Sequence, residues 1–534
     1  MIKLIPKPAK FETRYGEFFI NNDTKIYANE KATFAVKTFN ELINKHCNFN
    51  VKTIDDETKA SIKFIIDINL DEEEYIIDCT PDTLVVKHST KAGAFYAVQS
   101  IRQLTKIDIL NNADSLSMHS VYIKDLPANK WRGLMLDESR WFFGPTVVKE
   151  LLDMMAMFKL NVFHWHLTDN VGWRIEIKKY PKLTKIGSYR RGTQNIAWRN
   201  LKAVDNTPHE GFYTQEEIKD IVAYAKERNI MIVPEIDFPA HFVAAIASYP
   251  ELSCEGKQIE VSPVHFEFAK VIACAGKEST YEFMYDVIDE LSELFDAPYF
   301  HIGGDEVPKA KWKKCPCCQE VIKRENLSGE EDLQGYVNNK LAVYLKRKNK
   351  KLIGWNEILK SKKLDSSIVV QYWTYHNDKR VLEHLESGGE AIISKHQAFY
   401  FDMTYLQNNL KTTYEYSHEK YGLKDCQGIL GVECALWTEW IFSLERLQFQ
   451  MYPRLFAFSE VAWTPEEEKD YMNFRKRVDD FIPTLEYMGK IYCPLELVDS
   501  CKLKAHPASM KFSLKNAHFE YDKAQKYRRE KMSK

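Results

Sequence analysis

Two adjacent carboxylic acids, Asp305 and Glu306, follow an apolar run and a pair of glycines in this chain. The segment from Pro298 to Gly304 is expected to form a short strand that ends at the two acids. Neighbouring carboxyl groups repel each other, so one can be held protonated while the other is ionised. Such a pair suits acid–base catalysis on an acetal or an ester. A solvated turn with two surface acids is the alternative interpretation, and the apolar setting disfavours it.

Eight short apolar runs recur between about residue 131 and residue 463, and several precede an amphipathic stretch such as residues 215–228. Strands that alternate with helices in this way predict an α/β fold, a (β/α)8 TIM barrel. Barrel enzymes build their active sites from the carboxyl ends of several strands, which is where the polar and aromatic residues of this chain lie. The pattern therefore predicts one shared site. The runs cover residues 131–137, 160–167, 230–236, 298–303, 351–355, 368–373, 390–394 and 429–437.

The 534 residues exceed what one compact core accommodates, so more than one domain is expected. Residues 1–125 mix short strands with a helix near 91–104 and predict a small α+β domain. Residues 126–465 form the predicted catalytic barrel. Residues 466–534 are predicted to be a C-terminal helix and a basic tail, which carries ten Lys and Arg against three Asp and Glu from residue 501 onward.

The composition restricts the class of partner and the compartment. A net charge of −2 gives no reason to expect nucleic acid or an anionic membrane as partner. No run of about 18 apolar residues occurs, and the N-terminal residues lack the pattern of a signal peptide. Eleven scattered cysteines suit a reducing compartment better than a disulfide framework. A cytoplasmic enzyme is therefore expected, with the assembly state open between monomer and homodimer.

The motifs at the strand ends resemble those of family 20 glycoside hydrolases, the exo-acting β-N-acetylhexosaminidases. The resemblance covers the barrel from about residue 130 to 465, and the preceding α+β domain is also typical of that family. Its implied substrate is a glycan or chitooligosaccharide with a terminal N-acetylhexosamine, GlcNAc or GalNAc, and it implies no cofactor and no metal. The matching segments are Trp131 to Asp137, Asn161 to Asp169, Val233 to His241, Gly303 to Glu306, Gly354 to Glu357, Gln371 to Trp373, Tyr400 to Asp402 and Ala435 to Trp440.

The adjacency of the two acids favours a substrate-assisted mechanism. Ordinary glycosidases place two carboxyl groups about 5–9.5 Å apart, on opposite sides of the scissile bond. The Cα atoms of Asp305 and Glu306 are only about 3.8 Å apart, so the pair straddles a sugar ring poorly. A 2-acetamido group whose carbonyl oxygen attacks the anomeric carbon would replace the second carboxylate. Family 20 is an established exception to the two-carboxylate rule, and the resemblance implies the same exception here.

The resemblance also implies a role for each site residue. Glu306 would protonate the leaving oxygen and then activate water, Asp305 would stay ionised and orient the acetamido N–H, and Tyr400 would donate to the acetamido carbonyl. The remaining candidates are an aromatic box of Trp355, Trp373 and Trp437, the hydroxyl-binding residues Arg132, Asp402 and Glu439, and Asp169, Asp237 and His241 behind the acids. Three positions depart from the family pattern: Trp141, Asn170 and Ala240. These differences are expected to alter the rim of the pocket and the fine substrate preference rather than the activity.

Three other interpretations compete with this one. His164 and His166 face the same side of a strand, which a metal-dependent barrel hydrolase would also use, but later strand ends offer few further ligands. A sugar-binding protein without catalysis would need the aromatic residues but not Glu306. A lacto-N-biosidase-like enzyme would release a disaccharide and would need an open second subsite, against which the presence of both Asp402 and Glu439 argues.

A cysteine motif in the same region remains unassigned. Cys315, Cys317 and Cys318 hint at zinc, but no second cysteine pair follows at the usual spacing. Free thiols are therefore expected there, and metal binding stays open.

Overall fold

The computed structural model describes residues 3–194, 204–265, 271–374 and 378–499. The predicted basic tail, residues 501–534, lies outside the described residues. No helix in the described part is both long and apolar enough to cross a bilayer.

The N-terminal part folds as a seven-stranded mixed sheet with two helices packed against it. Its strand order is β1-β7-β5-β6-β4-β2-β3. Side chains alternate between buried and more exposed in β4, β5 and β6, as expected for a sheet with one face on the core. The Thr90 side chain caps the second helix by accepting from the N–H groups of Ala92 and Gly93. The elements are β1 Lys10–Ile20, β2 Lys25–Ala28, β3 Lys52–Ile54, β4 Ile62–Ile66, β5 Tyr75–Cys79, β6 Leu84–His88 and β7 Leu116–Asp125, with α1 Thr33–His46 and α2 Lys91–Thr105.

Eight parallel strands form a closed barrel after this sheet, which confirms the predicted fold class. The order is β8-β9-β13-β14-β15-β16-β17-β18, and β18 pairs with β8 to close the ring. Three short strands, β10 to β12, lie in the loops. The barrel strands are β8 Trp131–Asp137, β9 Val162–Asp169, β13 Met231–Ile236, β14 Tyr299–His301, β15 Lys351–Trp355, β16 Val369–Tyr372, β17 Ala391–Ile393 and β18 Ile429–Leu436; the short ones are β10 Gly172–Trp173, β11 Tyr189–Arg190 and β12 His209–Glu210.

Helices surround the barrel, and one further helix follows it. They are α3 Pro145–Met157, α4 Lys182–Lys185, α5 Gln215–Glu227, α6 Val243–Ser248, α7 Glu278–Leu294, α8 Ala310–Lys314, α9 Pro316–Arg324, α10 Glu330–Arg347, α11 Lys379–Glu386, α12 His396–Phe399, α13 Leu410–Tyr414, α14 Leu444–Met451, α15 Arg454–Trp463 and α16 Tyr471–Tyr487.

The interior of the barrel has an apolar lower layer and a polar upper layer. Side chains at the strand starts, including Trp131, Val233 and Ile353, form the lower layer. Above them the buried carboxylates Glu235 and Glu433 flank His164, whose Nδ1 lies 2.7 Å from Glu433 and whose Nε2 lies 3.0 Å from Glu235. Buried charges are tolerated when they are paired in this way. This layer supports the residues at the upper ends of the strands.

The N-terminal sheet and α16 are both joined to the barrel by buried ion pairs. Lys159 lies 2.8 Å from Asp125, the last residue of β7. Arg477 of α16 donates to Glu460 of α15 and to the carbonyl of Leu4, and all of these groups are buried. Removal of one partner of such a pair leaves an uncompensated buried charge.

Candidate functional site

A pocket of about 230 Å³ opens at the carboxyl ends of the barrel strands. This is smaller than the roughly 300–1,000 Å³ of pockets that enclose drug-sized ligands, so it suits one small ring. The structure brings nine of the predicted residues into its wall. The wall consists of Arg140, His241, Asp305, Glu306, Trp355, Trp373, His396, Tyr400, Asp402, Met403, Trp437, Glu439 and Trp440.

The two acids reach the pocket through a tight turn after β14. Gly303 and Gly304 have φ of 64° and 86°, a region that glycine adopts without strain. A Cβ on Gly303 would clash with the Asp237 carboxylate, which accepts the Gly304 N–H at 3.2 Å. Asp237 thus lies directly behind the turn, and the glycines allow the backbone to pass over it.

His241 lies between the acid pair and a buried charge network. Its Nε2 is 3.7 Å from Asp305 Oδ2 and 3.5 Å from Glu306 Oε2, and its Nδ1 is 3.2 Å from Asp169 Oδ2. Arg140 approaches the same Asp169 oxygen at 2.7 Å. Burial opposes a charge on His241, but the carboxylates of Asp169 and Asp305 outweigh it and hold the pKa of His241 well above its usual value.

The two acids differ in environment and in pKa. Asp305 has a side chain only 13% exposed, and burial, opposed by His241, raises its pKa to about 6. Glu306 stands at the pocket mouth with its side chain 43% exposed. Burial raises the pKa of Glu306, but the hydrogen bond and charge of His241 lower it further, so the net pKa is below its usual value. The pKa of Asp305 therefore lies above that of Glu306, so Asp305 holds a proton more readily than Glu306 in the free protein.

Aromatic side chains form one wall of the pocket. Trp373 stacks on Tyr400 with ring centroids 5.9 Å apart and planes 13° apart. Trp355 donates its Nε1–H to the buried Glu235 at 2.9 Å, and Trp373 donates to Glu357 at 2.9 Å. These bonds fix the ring orientations, and flat apolar walls suit the C–H face of a sugar.

The closed end of the pocket carries a second group of acids. Arg140 lies 3.8 Å from Glu439, and its guanidinium lies 5.0 Å from the Trp437 ring. Burial and the neighbouring Glu439 charge raise the pKa of Asp402 well above its usual value. The Oδ1 atoms of Asp305 and Asp402 are buried and have no hydrogen-bond partner among the described residues. Buried polar atoms are normally satisfied, so these oxygens are suited to accept from the hydroxyl and N–H groups of a ligand.

The expected role of Arg132 in the pocket is wrong. Arg132 lies at the start of β8, at the opposite end of the barrel, where its guanidinium makes a bidentate contact with Glu73 at 2.7 and 2.8 Å. Arg140, three residues beyond the end of β8, occupies the pocket instead. The rule that active-site residues follow the carboxyl ends of barrel strands would have selected Arg140.

Other pocket residues carried weaker signals in the sequence. Glu357 belongs to the strand-end segment Gly354 to Glu357, and burial together with the Asp305 charge raises its pKa to about 7. His396 begins the short helix α12 and Met403 lies in a loop, and neither belongs to a local motif. Asp169 and Asp237 lie behind the pocket wall rather than in it.

The two strand histidines lie beneath the pocket and face carboxylates. The Nδ1 of His166 lies 2.6 Å from Glu235, and its Nε2 lies 3.3 Å from Asp169. His164 contacts Glu235 and Glu433 as described above. Their ring nitrogens therefore contact the buried carboxylates that lie beneath the pocket.

A parallel barrel with paired acids and an aromatic pocket at its upper face defines a carbohydrate-active hydrolase. Residues 129–466 match the catalytic domain of glycosyl hydrolase family 20, and residues 1–126 match domain 2 of the same family. The chain belongs to this family and is a glycoside hydrolase of the β-N-acetylhexosaminidase class. The comparisons confirm the resemblance predicted from the sequence and favour it over a metal-dependent barrel hydrolase.

Similar proteins occur among bacterial enzymes. A β-hexosaminidase of Porphyromonas gingivalis is 33% identical over 92% of this chain, which spans 64% of that relative's length. The solved structure of a β-N-acetylhexosaminidase from Bacteroides fragilis is 30% identical with a TM-score of 0.82, and the match covers 94% of this chain and 99% of that one. An exo-β-N-acetylglucosaminidase from Vibrio harveyi, solved in complex with N-acetylglucosamine, is 29% identical with a TM-score of 0.82 and covers 92% and 78% respectively.

Proposed function

We propose that this enzyme is a retaining exo-β-N-acetylhexosaminidase that removes one non-reducing terminal GlcNAc or GalNAc residue by substrate-assisted catalysis. The observation that carries the proposal is the geometry of Asp305 and Glu306. They are adjacent and lie on one side of a pocket with room for a single ring. The Nε2 atom of His241 lies close to both carboxylates. A pair on one side of the ring needs the nucleophile to come from the substrate.

In the first step the acetamido carbonyl oxygen of the substrate attacks its own anomeric carbon, and the bond to the leaving oxygen breaks. Glu306, at the pocket mouth, donates a proton to that oxygen. Asp305, deeper in the pocket, accepts the acetamido N–H and stabilises the positive charge on the oxazolinium-like intermediate. Tyr400 donates its hydroxyl to the acetamido oxygen. In the second step Glu306 removes a proton from a water molecule whose oxygen bonds to the anomeric carbon, and the bond from that carbon to the acetamido oxygen breaks. The acetamido group is thereby restored, and the released sugar has the β configuration.

Substrate binding must move the shared proton from Asp305 to Glu306. An acetamido N–H that donates to Asp305 favours the ionised form of that carboxyl and lowers its pKa. An aglycone placed over Glu306 removes water from the exposed carboxyl and raises its pKa. The same contacts that position the substrate therefore assign the acid role.

The residues at the closed end account for exo action and for specificity. Asp402, Glu439 and Arg140 would bind the outer ring hydroxyls, since hydrogen bonds are stronger in a buried setting and those from the Arg140 guanidinium are charge-assisted. Trp355, Trp373 and Trp437 would enclose the acetamido methyl group and the sugar face. Asp169 and Asp237 would hold His241 and the Gly303–Gly304 turn in place.

Digestion of a chitooligosaccharide labelled at its reducing end tests this function. The proposal predicts that free GlcNAc appears and that the labelled chain shortens by one residue at a time. Release of a disaccharide would indicate the lacto-N-biosidase-like alternative, and binding without any cleavage would indicate a sugar-binding protein.

We further propose that the chain divides into residues 1–125, 126–465 and 466–534. The bounds of β7, β8 and α15 support these divisions. A reducing compartment such as the cytoplasm is supported by the ten described cysteines, none of which forms a disulfide with another described cysteine. A homodimer remains a prediction that light scattering would test.

A further inference from the structure

Four cysteines from three segments converge beside the active-site loops. Cys274 Sγ lies 3.7 Å from both Cys315 Sγ and Cys318 Sγ, and Cys254 Sγ lies 3.9 Å from Cys318 Sγ. All four sulfurs lie within 4.8 Å of one another. Cys274, Cys315 and Cys318 are buried, and Cys254 lies at the rim.

The spacing of these sulfurs fits a tetrahedral metal ion. Zinc–thiolate bonds of about 2.3 Å place the four sulfurs of a regular tetrahedron about 3.8 Å apart. The central sulfurs Cys274 and Cys318 each have two neighbours at nearly equal distance, whereas a disulfide joins sulfurs one to one. Four thiolates in a tetrahedron are the ligand set that selects zinc or iron.

We propose that Cys254, Cys274, Cys315 and Cys318 bind one structural Zn²⁺ ion. This proposal does not depend on the sugar chemistry and departs from the expectation of free thiols. The sequence alone does not predict this site. Only Cys315 and Cys318 form a Cys-x-x-Cys pair, whereas Cys254 and Cys274 are single residues that the fold brings to that pair.

The surroundings are suited to a cluster of thiolates. Cys315 is the N-cap of α9, and Cys318 lies in its first turn, where the helix dipole favours negative charge. Lys277 donates to the carbonyls of Glu251 and Ser253, next to Cys254, and adds positive charge nearby. Binding of Zn²⁺ would release the thiol protons to solvent.

The ion would join two loops that carry catalytic residues. Cys315 and Cys318 follow Asp305 and Glu306 along the chain after β14. On the other side, Ala273 donates its N–H to the carbonyl of Pro239, two residues before His241. Ala273 also accepts from Trp312 of α8 at 2.9 Å. A metal ion at this position would therefore fix the β13 loop against the β14 loop.

The backbone around the cluster is closely packed. A Cβ on Gly276 would clash with the backbone of Cys317 and Cys318. The Cys274 segment can approach the start of α9 this closely only because it has glycine there. Cys317 lies between two ligands along the chain but contributes no sulfur to the cluster, which makes it a matched control.

Elemental analysis of the full-length enzyme, purified without a metal-affinity tag, tests the proposal. We expect about one zinc per chain in the wild type and in Cys317→Ser, and at least a fivefold lower content in Cys318→Ser. Cys254→His should keep zinc, because imidazole replaces a thiolate at the rim. Replacement of the zinc by Co²⁺ in the wild type should produce the visible absorption of a tetrahedral thiolate site.

Two outcomes would overturn the proposal. One is metal-free native enzyme whose buried thiols do not take up Co²⁺; the other is stoichiometric iron in place of zinc. The wild-type measurements keep the test valid if Cys318→Ser fails to fold. Sugar hydrolysis by fully metal-free enzyme would leave the proposed function intact, so the two proposals fail separately.

Discussion

His241 and Glu306 both adopt a left-handed backbone with φ of 48°, and their side chains meet with Nε2 and Oε2 3.5 Å apart. Left-handed non-glycine residues cost free energy and tend to persist at functional sites, where the surrounding structure holds them. Here the strain places a histidine with a raised pKa against an acid at the pocket mouth. The contact stabilises the ionised form of Glu306 until a substrate covers it.

Replacement Glu306→Gln removes the proposed proton donor while it retains the side-chain shape. We expect a loss of about 10²–10⁴-fold in kcat on glycans, because general acid catalysis contributes that much. Aryl glycosides with acidic leaving groups need little protonation, so the first step should slow far less. Equal losses on the two substrate types would contradict the acid role.

Replacement Asp305→Asn removes the charge that would orient the acetamido group and stabilise the intermediate. We expect kcat to fall by about 10²–10³-fold, comparable to the loss of one electrostatic donor in other enzymes. Activated substrates should show the same loss, since leaving-group protonation is not affected. Pre-steady-state measurement of phenol release would check this; an unchanged rate would remove Asp305 from the mechanism.

The pH dependence of kcat/KM follows from the single proton that Asp305 and Glu306 must carry between them for catalysis. The pKa of Asp305 is raised to about 6 and that of Glu306 is lowered, so the singly protonated pair of the free enzyme is lost as the pH rises through about 6. Because kcat/KM reports the free enzyme, it should fall as the pH rises through about 6. The decline should be weaker for aryl glycosides with good leaving groups. A profile on glycans that stays level to pH 8 would contradict this assignment.

Arg140 and Arg132 provide a matched test of which arginine lies in the sugar pocket. Arg140→Lys should raise KM for aryl N-acetylglucosaminides at little cost in folding, because the lysine keeps a charge beside Asp169 and Glu439 but loses the planar fork. Arg132→Met should lower the free energy of unfolding by about 3–5 kcal/mol, since it leaves Glu73 without its partner in a largely buried pair. Its KM should not change. A pocket role for Arg132 would reverse these results, and thermal unfolding with steady-state kinetics would reveal it.

Much of the fold could be predicted from the sequence because the barrel strands are buried on both sides. The run 131–137 and the observed β8 coincide, since the mainly apolar residues of a strand buried on both sides stand together in the sequence, with the charged Arg132 and Asp137 near its two ends. Strand β14 is shorter than its run, because Gly303 and Gly304 turn the chain over Asp237. That contact between distant segments is not visible in a local pattern.

The pocket residues could be predicted where a motif follows a strand, and not elsewhere. Trp355 ends β15, Asp305 and Glu439 lie four and three residues beyond β14 and β18, and all three lie in the pocket wall. Arg132, to which the family resemblance assigns a hydroxyl-binding role, lies near the start of β8, whereas the pocket forms at the carboxyl ends of the strands. The four-cysteine cluster has no local sequence pattern, because Cys254 and Cys274 come together with Cys318 only through packing of the loops.

Hydrolysis of paired aryl β-glycosides, identical except for the 2-acetamido group, tests most directly whether the substrate supplies the nucleophile. We predict rapid cleavage of the N-acetylglucosaminide and a kcat/KM at least about 10³-fold lower for the plain glucoside, which lacks the intramolecular carbonyl oxygen. Comparable kcat/KM values for the two substrates would contradict the substrate-assisted mechanism.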